Sequence, residues 1–162
     1  VVAVDGTTKG ELTSKWKGRR ANDIKISVEG SISGGTSFGI TQMVNGRVNP
    51  SVQPALDQVG NVWETMVLNC LGIADTANLD RFSTFGEGRW GALVRKPLVV
   101  FTGSSTADVT TAIAIPDARK TDRVNSQLTS PGSSDLVFVI AARQLARIAV
   151  VANNNQIGRA HV

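Results

Sequence analysis

This chain is short of the residues on which most enzyme sites and covalent cross-links depend. Its 162 residues include no tyrosine, one histidine and one cysteine. A single cysteine excludes a disulfide within the chain and a cysteine-ligated metal cluster. A lone histidine cannot supply a pair of metal ligands, so a histidine metal site is excluded as well. Aromatic residues make up only 5% of the chain, which leaves little for base stacking on a nucleic acid.

The chain also lacks long hydrophobic runs and a strong imbalance of charge. Its longest apolar run, LVFVIAA, is far shorter than the ~18 residues of a membrane-spanning helix, so we expect no membrane insertion. The net charge is only +4, and acidic residues lie near most of the basic ones. This balance is weak support for a nucleic-acid partner. With 41% hydrophobic and 19% charged residues, the composition is that of a globular protein.

The two ends of the chain do not read as the ends of a complete protein. The first residues, VVAVDG, contain no initiator methionine, and the last six, IGRAHV, match one reading frame of a widely used sequencing adapter. We expect residues 156–162 to be a non-biological, adapter-derived tail and the remainder to be an internal fragment of a longer protein. His161 would then be an artefact, and the protein segment would contain no histidine.

The hydrophobic pattern changes near residue 48. Before it, apolar and polar residues alternate in ELTSKW, IKISVE and SFGITQM, which predicts a small antiparallel β lobe over residues 1–48. The glycine-rich SISGGTS predicts a turn within this lobe. The apolar residues of the first two strands would face the interior of the lobe: Leu12, Ile24, Ile26 and Val28.

After residue 48, short apolar runs alternate with helical patterns. The runs ETMVLNC, KPLVVFTG and RVNSQL predict buried strands, and the segments around them predict helices. We expect Asn49 to cap the first helix, Asp75 or Thr76 the second, and Ser133 or Ser134 the last. The last helix is apolar enough to be buried on most sides. The order predicts an α/β core over residues 49–155, a mainly parallel sheet flanked by helices, and an α+β chain overall.

Three loops resemble catalytic or phosphate-binding loops, but each lacks something necessary. FTGSSTAD at 101–108 opens a helix, yet its single glycine fits no phosphate-loop motif. TFGEGRWG has the spacing GxGxxG but does not join a strand to a helix. SPGSSD at 130–135 offers serine nucleophiles without a histidine base. We predict a non-enzymatic protein with no catalytic residue, cofactor or metal; the alternative is a fragment of an α/β hydrolase or nucleotide-binding enzyme.

The densest charge in the chain lies in SKWKGRRANDIKISVEG, residues 14–30. Asp23 and Glu29 interrupt five basic residues there: Lys15, Lys17, Arg19, Arg20 and Lys25. A nucleic-acid site would need more aromatic residues beside the charge than Trp16 alone. We interpret these five basic residues as a solvent-facing surface that contacts a neighbouring subunit, and a basic nucleic-acid-binding domain remains the second alternative.

Several motifs follow one another in an order that is similar to that of one protein family. SKWKGRRANDIKISV follows AVDGTT and precedes ITQMVNGRVNPSVQPALDQVG; LNCLGIADTANLDRFSTFGEGRWG and VVANNN come later. This order resembles the tail sheath proteins of contractile phages, in particular the Mu-like group, over residues 1 to about 155.

The resemblance implies a structural subunit of the virion that needs no cofactor. Sheath subunits assemble in the host cytoplasm into a helical array of identical copies around a tail tube, together with baseplate proteins. Contraction of the array drives the tube through the bacterial envelope. Terminal strands that add to a neighbour's sheet couple the subunits. Relative to the family, this chain lacks the outer N-terminal portion, the C-terminal domain and the linking arms.

Overall fold

The chain divides into two compact units, residues 1–50 and 51–162. The structure is a computed structural model, and it describes residues 3–5, 9–30, 39–105 and 108–154. The predicted boundary after residue 48 lies beside the division between the units. The predicted SISGGTS turn and the predicted tail with His161 lie outside the described residues.

The N-terminal unit contains a short antiparallel hairpin in place of the predicted longer strands. Strand β1 (Ala3–Asp5) pairs with β2 (Lys9–Glu11). The other regular element in the described part of this unit is a 3-10 helix, Arg19–Asp23. Among the described residues, ELTSKW has no strand beyond Glu11, and IKISVE and SFGITQM have none, so these strand predictions are wrong.

Side-chain amides join the segments that do not form a sheet. Asn22 donates from Nδ2 to the carbonyl of Gly46 at 3.0 Å and accepts from the Gly46 amide at 2.8 Å. Gln42 bonds the backbone of Ile26 in the same reciprocal way, at 2.8 and 2.9 Å. Each amide side chain thus supplies the donor and the acceptor that a neighbouring strand would supply. The backbone groups of Ile26 and Gly46 are satisfied without strand pairing.

The predicted interior of the lobe is poorly covered as a result. Leu12 is 39% exposed and Val28 is 50% exposed, while Ile24 and Ile26 are half-buried. An alternating segment hides its apolar side only when a sheet gives it a common face. The inward orientation predicted for Leu12 and Val28 is therefore wrong.

The C-terminal unit contains a parallel three-stranded sheet, as the sequence predicts. Strands β3 (Met66–Asn69) and β5 (Asn125–Thr129) both pair with the central strand β4 (Val99–Ser104). Among the described residues of this unit, the helices are α1 (Gln53–Val59), α2 (Thr76–Trp90), α3 (Val109–Ala118) and α4 (Val137–Asn154). The unit is α/β, and the short antiparallel hairpin belongs to the N-terminal unit.

The sequence predicts a capping residue for α1, α2 and α4, and the structure confirms the prediction only for α2. The Asp75 carboxylate accepts from the amide of Asn78 and caps α2, as predicted. By contrast, α1 begins after Val52 and not at Asn49; the Asn78 side chain accepts from the Val52 amide at 3.0 Å. The hydroxyl of Ser133 accepts from the amide of Asp135, which makes a turn ahead of α4 in place of the predicted cap.

One face of the sheet packs against α1 and α2. Val100, at the centre of β4, is fully buried in a cluster with residues from both helices and from the segments before β4 and β5. The members of this cluster are Leu56, Phe82, Leu98, Val100 and Val124. Since side chains alternate along a strand, Thr102 and Ser104 lie on the same face as Val100.

Helix α4 packs against the opposite face at Gly103. A Cβ at Gly103 would overlap the carbonyl of Val137, so only glycine allows the helix backbone to lie this close. Val137 and Ala141 are buried at this contact. Farther along α4, Val150 is 60% exposed and Val151 is 50% exposed. The expectation that α4 is buried on most sides is wrong for its second half.

Substitution of Gly103 tests this contact. Gly103→Ala should lower the free energy of unfolding by about 2 kcal/mol, since the added methyl group overpacks a closed contact. Gly88→Ala is the control, because a Cβ there meets nothing within 4 Å, and alanine in α2 should stabilise by about 0.5–1 kcal/mol. Urea unfolding measures both. Equal changes in the free energy of unfolding for the two substitutions would show that α4 does not pack closely against Gly103 of β4.

Candidate functional site

Neutral polar side chains lie in the carboxyl-terminal half of the sheet, where open α/β sheets hold their ligands. Asn69 and Thr102 are 1% and 0% exposed, and the Asn69 amide donates to the Thr102 hydroxyl at 3.1 Å. The other end of the Asn69 amide accepts from the Leu71 amide at 2.9 Å. These groups satisfy one another. They fix the neighbouring strands and offer no ionisable group for proton transfer.

The chain's own carboxylates occupy the helix N-termini that follow β3 and β4. Asp75 bonds the first turn of α2. Asp108 accepts from the amide and the hydroxyl of Thr111, at 2.8 and 2.6 Å, and from the amide of Thr110. The Thr111 hydroxyl, then the Thr111 and Thr110 amides, lower the pKa of Asp108. A phosphate at either helix would have to displace a charged carboxylate from the same amides.

Of the serines that the sequence offers as nucleophiles, one is closed to a substrate. Ser104 of FTGSSTAD is 2% exposed, so a substrate cannot reach it; Thr106 and Ala107 of this motif lie outside the described residues. In SPGSSD, Asp135 pairs with Arg143, whose guanidinium cannot act as a base at neutral pH. Within the described residues, no group of three or more His, Cys, Asp or Glu side chains could hold a metal ion.

A buried ion pair anchors the start of β5, and sequence reasoning missed it. One oxygen of Asp122 accepts from the amides of Val124 and Asn125, both at 3.0 Å. The other accepts from the Arg119 guanidinium and from the Asn125 side chain, both at 2.8 Å. Arg119 also pairs with Asp80 of α2. Arg119 therefore ties the turn after α3 to α2, and Asp122 holds Arg119 in place.

Burial and hydrogen bonding act in opposite directions on the charge of Asp122. The side chain is 7% exposed, and burial alone would raise its pKa. Hydrogen bonds from Asn125, Arg119 and Val124 together outweigh burial, so the pKa of Asp122 is lowered. The group remains a carboxylate at neutral pH and is unsuited to act as a general acid.

The RWG motif at the end of α2 is also structural. Arg89 is 7% exposed and donates to the carbonyls of Gly60 and Val62, which binds α2 to the segment after α1. The Trp90 indole donates to the carbonyl of Leu98 at 3.3 Å. The Arg123 guanidinium lies over the Trp90 ring, 5.3 Å from its centroid. Arginine next to tryptophan in the RWG motif indicates side chains that donate hydrogen bonds. The motif does not indicate which carbonyl groups accept them, because those carbonyls belong to other segments of the chain.

The predicted contact residues lie in the N-terminal unit, around its 3-10 helix. Lys15, Lys17, Arg19 and Lys25 are exposed, and Arg20 is half-buried. The structure brings Arg19 and Arg20 near the Asp23 carboxylate. Burial is the largest effect on Asp23 and raises its pKa, whereas Arg20 and Arg19 oppose that rise. The subunit contact itself stays a prediction.

A cleft of about 470 Å³ opens next to these basic residues; we call it the lobe cleft. Two segments, 11–21 and 43–48, contribute its walls. Trp16 is its aromatic residue, with 50% of its surface exposed, and the hydroxyl of Ser14 accepts from the Trp16 amide at 3.0 Å. The charged residues among those that line the lobe cleft are one acidic side chain, Glu11, and one basic side chain, Arg47.

Comparison with known proteins finds no matching family model, no matching curated protein and no matching solved structure. None of the helices in the described part of the chain combines the length and the apolarity of a membrane span. The functional assignment therefore depends on the residues themselves.

Asp122 allows a test by pH. Its folded pKa lies below the usual 3.8, so its stabilising effect is complete above that pH and is lost as pH falls through the folded value. Asp122→Asn should cost about 2 kcal/mol at pH 7, because the new amide has one acceptor oxygen in place of two and cannot accept all of these bonds. The difference from wild type should shrink in acid. Chemical denaturation at several pH values measures both effects.

Asp117→Asn is the matched control for this experiment. Its side chain is 78% exposed and lies 3.9 Å from Lys120, so its loss should change stability by less than about 0.5 kcal/mol at every pH. A difference for Asp122→Asn that stayed constant into strong acid would contradict the assigned role of the carboxylate.

Proposed function

We propose that this chain is part of a structural subunit of a contractile phage tail sheath. In this role it polymerises around the tail tube in the virion, contacts tube and baseplate proteins, and takes part in the contraction that drives the tube through the host envelope. The observation that carries the proposal is the ordered series of motifs from AVDGTT through SKWKGRRANDIKISV to VVANNN. Assembly of identical copies by head-to-tail contacts generates an open helical array.

Apolar surface on the C-terminal unit supports a self-assembling role. Val150 and Val151 on α4 are 60% and 50% exposed, and Val109 and Ile113 on α3 are 58% and 53% exposed. Exposed apolar side chains in groups are typical of surfaces that meet other protein. In a sheath subunit, a neighbouring copy or the remainder of a longer chain would cover them.

The edges of the sheet are compatible with coupling by strand addition. Among the described strands of this sheet, β3 and β5 each pair with β4 alone. An edge strand offers backbone donors and acceptors in register for an incoming segment. The terminal strands of neighbouring sheath subunits are segments of this kind.

The enzyme alternative has less support. Asp75 and Asp108 occupy the helix N-termini that would bind phosphate, and Ser104 is buried. The nucleic-acid alternative depends on Trp16 and its basic neighbours, and a single aromatic residue provides little stacking. A non-enzymatic contact function is therefore the better proposal for both units.

Assembly of the complete gene product tests the proposal. Expressed with its tail-tube protein, it should form helical arrays visible by negative-stain electron microscopy. Val150→Asp should reduce assembly at least about tenfold, because it places a charge in an apolar contact. Lys120→Asp, at a side chain that is 77% exposed, is the control and should assemble normally. A soluble monomer under all conditions, or esterase activity lost in Ser133→Ala, would overturn the proposal.

A further inference from the structure

A group of exposed apolar side chains lies where strands β3 and β4 begin; we call it the amino-end patch. Val62 and Trp63 precede β3 and are 58% and 57% exposed. The other members lie at the end of α2 or between α2 and β4: Trp90 and Val94 are exposed, and Leu93 is fully exposed. Exposed apolar side chains in a group of this kind mark a surface that meets another molecule.

Hydrogen bonds fix both tryptophans of the amino-end patch beside the start of β4. The indole of Trp63 donates to the carbonyl of Pro97 at 3.1 Å, and the indole of Trp90 donates to the carbonyl of Leu98 at 3.3 Å. These two acceptors are consecutive in the chain, so the rings flank the same short segment. The two halves of the patch, before β3 and before β4, therefore belong to one surface.

The turn that carries Leu93 is closed by its own backbone. The Gly91 carbonyl accepts from the amides of Val94 and Arg95, at 3.1 and 2.9 Å. Leu93 is thus held in its exposed position by the turn. The charged residues of segment 91–98 are both basic: Arg95 is exposed and Lys96 is half-buried. The amino-end patch is a preformed apolar surface with positive charge beside it.

A second apolar surface lies on α3; we call it the α3 patch. Val109 and Ile113 are 58% and 53% exposed, and because they are four residues apart they lie on one side of the helix. Asp117 continues the same row, and its side chain is 78% exposed. Asp117 is the charged residue within α3, and Asp108 caps the amino end of the helix. The α3 patch therefore combines apolar side chains with negative charge.

Charge favours the α3 patch over the exposed part of α4 as a partner for the amino-end patch. On α4, Arg147 lies three and four residues before Val150 and Val151, on the same side of the helix, and all three are exposed. In a contact with the amino-end patch, Arg147 would meet Arg95, a charge of the same sign. The acidic α3 patch brings the opposite sign to Arg95, and opposite charges across an interface favour the contact.

Other charges offset part of this complementarity. Glu64 adjoins Trp63 in the chain, and the Lys120 ammonium lies 3.9 Å from the Asp117 carboxylate. The attraction between the two patches is therefore modest. It selects which surfaces meet, whereas the burial of apolar side chains supplies most of the affinity.

We infer that the amino-end patch of one copy of this chain binds the α3 patch of the next copy. In this contact Ile113 packs against Trp63 and Leu93, and Asp117 faces Arg95. The inference rests on the proposed function, since it names the two surfaces through which the copies meet.

A contact between these two patches is head-to-tail. The amino-end patch lies where β4 begins, whereas α3 follows the end of β4, whose six residues span about 20 Å. Since the patches are different surfaces, each bound pair still presents one unoccupied patch of each kind and can add further copies. A two-fold dimer would instead bring each patch, and its charge, against its own kind.

Sedimentation velocity of the full chain over a range of concentrations tests the inference. The chain should form species larger than a dimer as its concentration rises. Leu93→Asp places a charge in the amino-end patch and Ile113→Asp places one in the α3 patch, so each should weaken association at least about tenfold. Both side chains are exposed, which leaves the interior of the unit unchanged. Val44→Asp, at a 62% exposed side chain in the N-terminal unit, is the matched control and should associate like wild type.

A mixture of the two variants gives the sharpest result. Leu93→Asp keeps its α3 patch and Ile113→Asp keeps its amino-end patch, so an equimolar mixture should form dimers and no larger species. A mixture that stays monomeric, a wild-type chain that is monomeric at every concentration, or unchanged association in both variants would overturn the inference. Co-sedimentation with phosphatidylglycerol vesicles that is lost in Leu93→Asp would also overturn it, because the amino-end patch would then bind lipid.

Electron microscopy of the complete gene product separates this inference from the sheath proposal. Arrays that form equally with and without Leu93→Asp would overturn the inference and leave the sheath proposal standing. Failure of the unaltered gene product to form arrays would count against the sheath proposal, whereas dimers in the mixture of variants would still support the contact between the two patches.

Discussion

The C-terminal unit depends on the close approach of α4 to the central strand of its sheet. Strand β4 is the central strand of the sheet and pairs with β3 and β5. It also packs against helices on both faces of the sheet. Val100 contributes to a conventional apolar cluster on one face. On the other face, Gly103 has no side chain, so the first turn of α4 lies directly against the backbone of β4. The depth of that contact fixes where α4 begins and which of its side chains are covered.

Carboxylates also stabilise this unit, because each of three aspartates accepts hydrogen bonds from backbone amides two or three residues further along the chain. Asp75 and Asp108 satisfy amides at the starts of α2 and α3, and Asp122 satisfies amides at the start of β5. A side chain used in this way is charged, oriented and unavailable for chemistry.

The order of strands and helices in the C-terminal unit could be predicted because its causes are local. Continuous apolar runs specify buried parallel strands, and Asp75 lies next to the turn that it caps. The lobe could not be predicted, because Asn22 and Gln42 bond backbone groups far along the chain. The apolar sequence of α4 also led to a prediction of more burial than the structure shows. Apolar residues indicate that a helix can be buried, but they do not show that other elements of the unit pack against all of its faces.

In the lobe, the side chains of Asn22 and Gln42 make bonds that a sheet distributes over every residue of its backbone ladder. In a sheet, the ladder bonds come from the backbone and do not depend on the side chain at each position. Here the loss of Asn22 would release Gly46, and no neighbouring rung would compensate. Tolerance to substitution in the lobe is therefore uneven: a change at Asn22 removes both bonds to Gly46, whereas a change at an exposed side chain such as Lys15 leaves them intact.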